Sequence, residues 1–146
     1  MLVYLDTCAV QRPLDDRSQL RVRVEADIIL AIIAAAEADE IQLISSDVLR
    51  FETENNPIPA RRDFGRRVLA IATVDNATTP EVADLARRYE QTDIKPIDAV
   101  HLASAVAARA DFFCTVDDDL LRKARFANTG ATRVVSPPEL ITELAS

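Results

Sequence analysis

Hydrophobic positions along the chain follow two alternating rhythms. Short apolar runs, Leu2 to Leu5, Ile41 to Ile44, Phe112 to Thr115 and Val134-Val135, have the length and residue types of buried strands. Longer stretches with a three-to-four-residue period lie between them. In 18–38, Val24, Ile28 and Ile32 form one row and Ile29, Ile33 and Ala36 the next, which predicts a long amphipathic helix laid on a sheet. Ser45-Ser46-Asp47 offers N-cap side chains for a helix ending near Asn55-Asn56-Pro57, and Pro59 opens another that carries Phe64, Val68, Leu69 and Ile71. Thr79-Pro80-Glu81 reads as cap, first-turn proline and acidic first turn of a helix to about Tyr89. Lys95-Pro96-Ile97-Asp98 starts one that continues to Ala110, and a last helix begins near Pro137. Strands separated by helices predict an α/β fold with a central parallel sheet. The segment 57–93 reads as a two-helix insertion, too short to bury a core of its own, so residues 1–146 are expected to form a single domain.

Composition matters where it removes options. A chain of 146 residues buries roughly 70% of its unfolded surface, so neither a metal nor a disulfide is needed for folding. With only Gly65 and Gly130, neither glycine-rich nucleotide loop can form. Cys8 and Cys114 are too far apart for C-x-x-C, and a single His101 cannot build H-E-x-x-H. Both cysteines are expected to be buried thiols, and His101 a packed, hydrogen-bonded side chain. The longest apolar run, Ile28 to Ala36, falls far short of the ~20 residues that cross a bilayer. The start, Met1 to Asp6, lacks the basic opening of a secretory signal, so a cytoplasmic protein with no membrane contact is expected.

What remains is oxygen chemistry. Ligands of parallel sheets gather beyond the carboxyl ends of the strands. Asp6 closes the first apolar run, and Asp117 follows the run 112–115. Glu52 stands three residues after Leu49 and four after Val48, on the inward stripe of its helix, whereas Glu54 is ~200° further round. Asp98 occupies the first turn of the helix 97–110. Taken singly, each has a plainer reading, as a turn residue, a solvated acid, a helix-start stabiliser, or part of the charged turn Asp117-Asp118-Asp119. Together, four elements present one acid each. Four carboxylates without thiol or imidazole partners suit Mg²⁺ or Mn²⁺. Such ions stabilise the attacking and leaving oxygens of a phosphodiester and activate water.

The net charge of −7, from 24 acids against 17 bases, disfavours long-range attraction of RNA. Setting aside the four candidate ligands leaves 20 acids against those 17, of which 15 are Arg. Arg12 and Arg17, close to Asp6 in sequence, and Arg62 and Arg66, one turn apart on a helix, are the candidate phosphate contacts.

In order, Leu5-Asp6-Thr7, Ser46-x5-Glu52, Asp98-Ala99-x-His101-Leu102-Ala103 and Thr115-x-Asp117 resemble the PIN domain over nearly the whole chain. The opening Leu5 to Asp16 is similar to a bacterial subgroup close to VapC-type toxins. The resemblance implies a three-layer α/β/α fold and a Mg²⁺- or Mn²⁺-dependent endoribonuclease. It also implies a frequent homodimer, often silenced by a small antitoxin protein. Carried over residue by residue, it implies metal-holding and catalytic roles for Asp6, Glu52, Asp98 and Asp117, supporting hydroxyls at Thr7 and Thr115, and an extra ligand at Asp119. A housekeeping RNA-processing nuclease and a catalytically silent binding module stay open as alternatives. An aspartyl phosphatase would want a second Asp two residues after Asp6, where Cys8 stands, and a receiver domain would want a late Lys with no counterpart here.

Overall fold

The computed structural model describes residues 1–146. Five strands, β1 (Leu2–Leu5), β2 (Gln42–Ser46), β3 (Val74–Asn76), β4 (Phe112–Cys114) and β5 (Arg133–Val135), form one sheet in the order β3-β2-β1-β4-β5. All pairings are parallel, with Val3 opposite both Leu43 and Phe112. The helices are α1 (Thr7–Gln11), α2 (Leu20–Glu37), α3 (Asp47–Glu54), α4 (Pro59–Ile71), α5 (Pro80–Glu90), α6 (Pro96–Ala107), α7 (Asp118–Phe126) and α8 (Pro137–Leu144). A 3-10 turn, Arg12–Leu14, extends α1.

Side chains alternate across a strand, and here the alternation fills two cores. Val3, Leu5, Leu43, Phe112, Cys114 and Val135 pack with Ile29 and Ile32 of α2, Val68 of α4 and Leu140 of α8. Tyr4, Ile44, Phe113 and Val134 point the other way, onto Leu49 of α3, Val82 and Tyr89 of α5, Leu102 of α6 and Leu120 of α7. Strands buried on both faces need continuous apolar runs, which is why β1 and β4 were legible. The result is the three-layer α/β/α arrangement with a parallel sheet. No helix is long and apolar enough to cross a membrane.

Two elements depart from the sequence reading. The segment 57–93 is not purely helical, because Val74–Asn76 forms β3 and pairs with β2 in the register Ile44 to Val74 and Ser46 to Asn76. An edge strand with only one apolar residue carries no hydrophobic run to read. The helix that opens at Pro96 stops at Ala107 rather than Ala110. Arg109 takes a left-handed φ of 59°, its N–H donates to Val106 O at 3.0 Å, and the Ala110 N–H donates to Ala105 O at 3.0 Å. This is a Schellman closure without the usual glycine, so the sequence carried no stop signal.

Gly65 sets how closely the helices under the site approach. A Cβ there would lie 2.8 Å from Thr53 Cγ2 and 3.2 Å from Gln11 Nε2, so only glycine lets α4 pack this tightly on α1 and α3. Gln11 Nε2 then donates to Arg61 O at 2.9 Å, tying α1 to α4. Strand growth reverses at β1, with β2 and β3 added on one side and β4 and β5 on the other. The carboxyl ends of β1 and β4 therefore flank a topological switch point.

Candidate functional site

A cavity of about 340 Å³ opens at that switch point, and Asp6, Glu52, Asp98 and Asp117 all line it. Asp6 is the N-cap of α1. Its Oδ1 accepts from Ala9 N at 3.0 Å and from Cys8 Sγ at 3.1 Å, and the residue is 2% exposed. Asp117 caps α7, with Oδ1 accepting from Asp119 N at 3.0 Å and Leu120 N at 3.1 Å, while its own N–H donates to Thr115 Oγ1 at 3.1 Å. Asp98 sits in the first turn of α6. Caps and first turns face the positive ends of helices, which tolerate carboxylates held close together.

Glu52 is held differently. Thr7 Oγ1 donates to Glu52 Oε1 at 2.5 Å, and His101 Nε2 lies 2.5 Å from the same oxygen. His101 Nδ1 is 2.7 Å from the Tyr4 hydroxyl, which is 2.8 Å from Ser46 Oγ. Ser46 Oγ in turn accepts from Leu49 N at 3.2 Å. Ionised Glu52 only accepts, so Nε2 carries a proton, and in the tautomer with that single ring proton Nδ1 accepts from the Tyr4 hydroxyl. Hydrogen bonds then run in one direction, from Leu49 N–H through Ser46, Tyr4 and His101 to Glu52. Every member of this buried chain is satisfied. His101 is thus the packed histidine expected, and it also contacts a candidate catalytic acid.

The charges respond to this crowding. Burial pushes the Asp6 carboxyl up from its ordinary range, against the pull of His101, Thr115, Cys8 and the Ala9 N–H. Asp98 is raised by burial and then by the Asp6 charge, with Asp117 and Glu52 adding to it and His101 opposing. Burial acts upward on Glu52 too, but the hydrogen bonds from His101 and Thr7 outweigh it, and its carboxyl is lowered. Two acids resist ionisation, therefore, while a third is held ionised.

Among the other expected residues, Thr7 supports Glu52, and Thr115 holds the Asp117 backbone and sits 3.5 Å from Cys8 Sγ. Asp119 does not line the cavity, because Arg122 Nη2 at 2.5 Å and Lys123 Nζ at 3.0 Å engage its carboxylate on α7. Of the four arginines, only Arg12 reaches the cavity. Arg17 bonds Asp27 and the Pro13 carbonyl, Arg62 the Asn56 carbonyl, and Arg66 makes a two-pronged pair with Glu54. Arg61, not singled out from the sequence, lines the cavity with Asp15, Gln11 and His101. Arg61 stands one turn before Gly65, and a lone helical glycine marks the face that approaches its neighbours most closely; that signal would have chosen Arg61 over Arg62. Cys114 is buried, but Cys8 is exposed at the cavity wall, contrary to expectation, since position two of α1 faces the opening. Packing around its sulfur, then the Asp6 charge, pushes the Cys8 thiol upward.

The donor set fits a hard divalent cation. Both nitrogens of His101 are committed to Tyr4 and Glu52, and Cys8 stays a protonated thiol, so carboxylate oxygens are the available ligands. No three His, Cys, Asp or Glu side chains are grouped tightly enough to form a ready-made cage.

In fold the chain is similar to VapBC2 from Rickettsia felis, solved bound to a DNA fragment from their promoter. The TM-score is 0.58 at 11% identity, covering 93% of this chain and 98% of that one. It is also similar to PAE2754 from Pyrobaculum aerophilum, with a TM-score of 0.53 at 15% identity over 99% of this chain and 90% of that one. No curated protein matches the sequence. The family model of the PIN domain matches residues 3–126, and with that span covering both sheet edges of the cavity the chain belongs to the PIN domain family.

Proposed function

We propose that this protein is a metal-dependent endoribonuclease that hydrolyses RNA phosphodiester bonds as the toxin of a toxin–antitoxin pair in the cytoplasm. The observation that carries this reading is the convergence of Asp6, Glu52, Asp98 and Asp117 from four elements on one cavity at the switch point. PIN domains are generally nucleases, which supports a hydrolytic role for that cavity.

Asp6, Asp98 and Asp117 would hold Mg²⁺ or Mn²⁺ beside the scissile phosphate, with Glu52 completing the acid set. The ion, when bound, supplies charge stabilisation at the reacting oxygens and lowers the pKa of water. Thr7 and His101 keep Glu52 ionised and aimed in one direction, so no reorganisation of that acid is needed as substrate arrives. Burial raises the carboxyls of Asp6 and Asp98, and the charges of Asp6, Asp117 and Glu52 add to it at Asp98; a cation would favour the ionised form of both.

The similarity to a chain of the VapBC2 assembly supports a small antitoxin partner. A guanidinium of that partner placed among the acids would stand in for the cation and block the site. The test is cleavage of RNA by purified protein with Mg²⁺ or Mn²⁺ and its loss in EDTA. Attack by water leaves 5′-phosphate and 3′-hydroxyl ends; 2′,3′-cyclic phosphate ends would show attack by the RNA's own hydroxyl and overturn the reading.

A further inference from the structure

Two arginines share the cavity with the acids, and one carboxylate bridges them. Arg12 Nη1 lies 3.0 Å from Asp15 Oδ2, and Arg61 Nη2 lies 2.8 Å from Asp15 Oδ1, so each guanidinium takes a different oxygen. Both are braced from behind. Arg12 Nε and Nη2 bond Glu25 Oε1 at 3.0 and 2.6 Å, and Glu25 is itself buried in α2. Arg61 Nη2 also donates to Leu14 O at 3.2 Å. Asp15 stands apart in kind, since it follows the 3-10 turn in extended backbone and belongs to no helix.

Two non-bridging phosphate oxygens present to a pair of guanidiniums much what the two oxygens of Asp15 present. We propose that Arg12 and Arg61 form a seat for a backbone phosphate of the RNA strand, and that Asp15 is the internal anion the strand displaces from it. The seat rests on the ribonuclease reading for its substrate, and its geometry is independent of the metal. Charge explains why a stand-in is useful in a chain of net charge −7. With Asp15 in place, Arg12 and Arg61 are balanced by Asp15 and Glu25, and this group of four side chains is neutral. Once Asp15 swings out, the arginine pair is left with one unbalanced positive charge for the incoming phosphate. A tethered carboxylate competes at an effective concentration on the order of millimolar. Free phosphate is thereby kept out, while a strand making several contacts displaces it.

The experiment is anisotropy of a labelled short single-stranded oligoribonucleotide titrated with the full-length protein in EDTA, repeated over a range of NaCl concentrations. Asp15→Asn, which keeps shape and removes charge, is expected to bind about fivefold more tightly, the effect of one unit charge near contact in a hydrated site. Asp16→Asn, the same charge change one residue away on a side chain that bonds only the Ser18 N–H, is expected to leave affinity within twofold. Arg61→Gln is expected to weaken binding and reduce the slope of log K against log salt by about 0.7, the loss of one phosphate contact on a single strand. Equal tightening by Asp15→Asn and Asp16→Asn, or an unchanged salt slope in Arg61→Gln, would overturn the seat. Inability of the parent to cleave RNA with metal would sink the nuclease reading and leave these binding results standing.

Discussion

His101 Nε2 and Glu52 Oε1 lie 2.5 Å apart, with the imidazole buried and the carboxylate half-exposed at the cavity. The acid is therefore positioned from inside the sheet core, through Tyr4 and Ser46, rather than by its own helix. Tyr4→Phe preserves the ring stacked on Phe113 but leaves His101 Nδ1 without its donor. The expected outcome is a loss of about 1–3 kcal/mol of stability, the cost of one unsatisfied buried polar group. Chemical denaturation measures that loss. Steady-state kinetics should show kcat falling with KM little changed, because the chain positions Glu52 without touching substrate.

Glu52 and Glu54 make a matched pair for site-directed change. Glu54 is exposed and paired with Arg66 on the far side of α3. Glu54→Gln is expected to leave cleavage rate and melting temperature close to the parent's, as for most surface ion pairs. Glu52→Gln is expected to lower the rate by orders of magnitude. Rate measurements on both variants check the ranking, and a reversed ranking would mean that α3 presents its other face.

Gly65→Ala opposes local propensity and packing. Alanine favours a helix interior by about 1 kcal/mol over glycine. The new Cβ would meet the Thr53 side chain at 2.8 Å and Gln11 Nε2 at 3.2 Å, and Thr53 is buried and β-branched, with little room to turn. Overpacking of this kind costs about 1–3 kcal/mol. Net destabilisation is expected in thermal melts, with weaker activity because α1, which carries Thr7, is displaced. A higher melting temperature would show that the close approach of α4 is not required.

Asp98 is expected to give the stability a pH dependence whose sign follows from its surroundings. Its folded pKa is raised by burial and by Asp6, so the charged form is disfavoured in the folded state relative to the unfolded one. At neutral pH the parent carries that penalty, and it fades as pH falls through the raised folded value and the carboxyl protonates. In EDTA, Asp98→Asn is expected to melt above the parent at pH 7.5, with the gap narrowing towards pH 5. Glu52 acts oppositely, because its lowered pKa contributes stability near neutrality that is lost in acid. Mn²⁺ at a hundredfold excess over its Kd should stabilise the parent by about 2.7 kcal/mol and the variant by less. Differential scanning fluorimetry across pH and metal checks both statements.

What the sequence made legible follows from how strongly each feature constrains its own residues. Strands β1 and β4, buried on both faces, had to be apolar throughout, and the acids that end them could be placed by counting. The helical phase that turned Glu52 inward and Glu54 outward was equally local. Edge strand β3 needed only Val74 on its apolar side, so its three residues carried no strand signal within the segment read as a two-helix insertion. His101 read correctly as packed, but its link to Glu52 joins residues 49 positions apart and has no local signature. Arg61, Asp15 and Arg12 meet only because α4 settles against α1 over Gly65, a tertiary contact that charge clusters along the chain do not encode.

The measurement that bears most directly on the site is the rate of RNA cleavage by Asp6→Asn beside the parent at saturating Mn²⁺. Asparagine retains the cap on Ala9 N and removes only the charge, so α1 stays folded and circular dichroism should be unchanged. If the four carboxylates form one metal-dependent hydrolytic centre, the variant loses the rate by orders of magnitude and additional Mn²⁺ does not restore it. Cleavage by Asp6→Asn at the parent's rate would contradict the account.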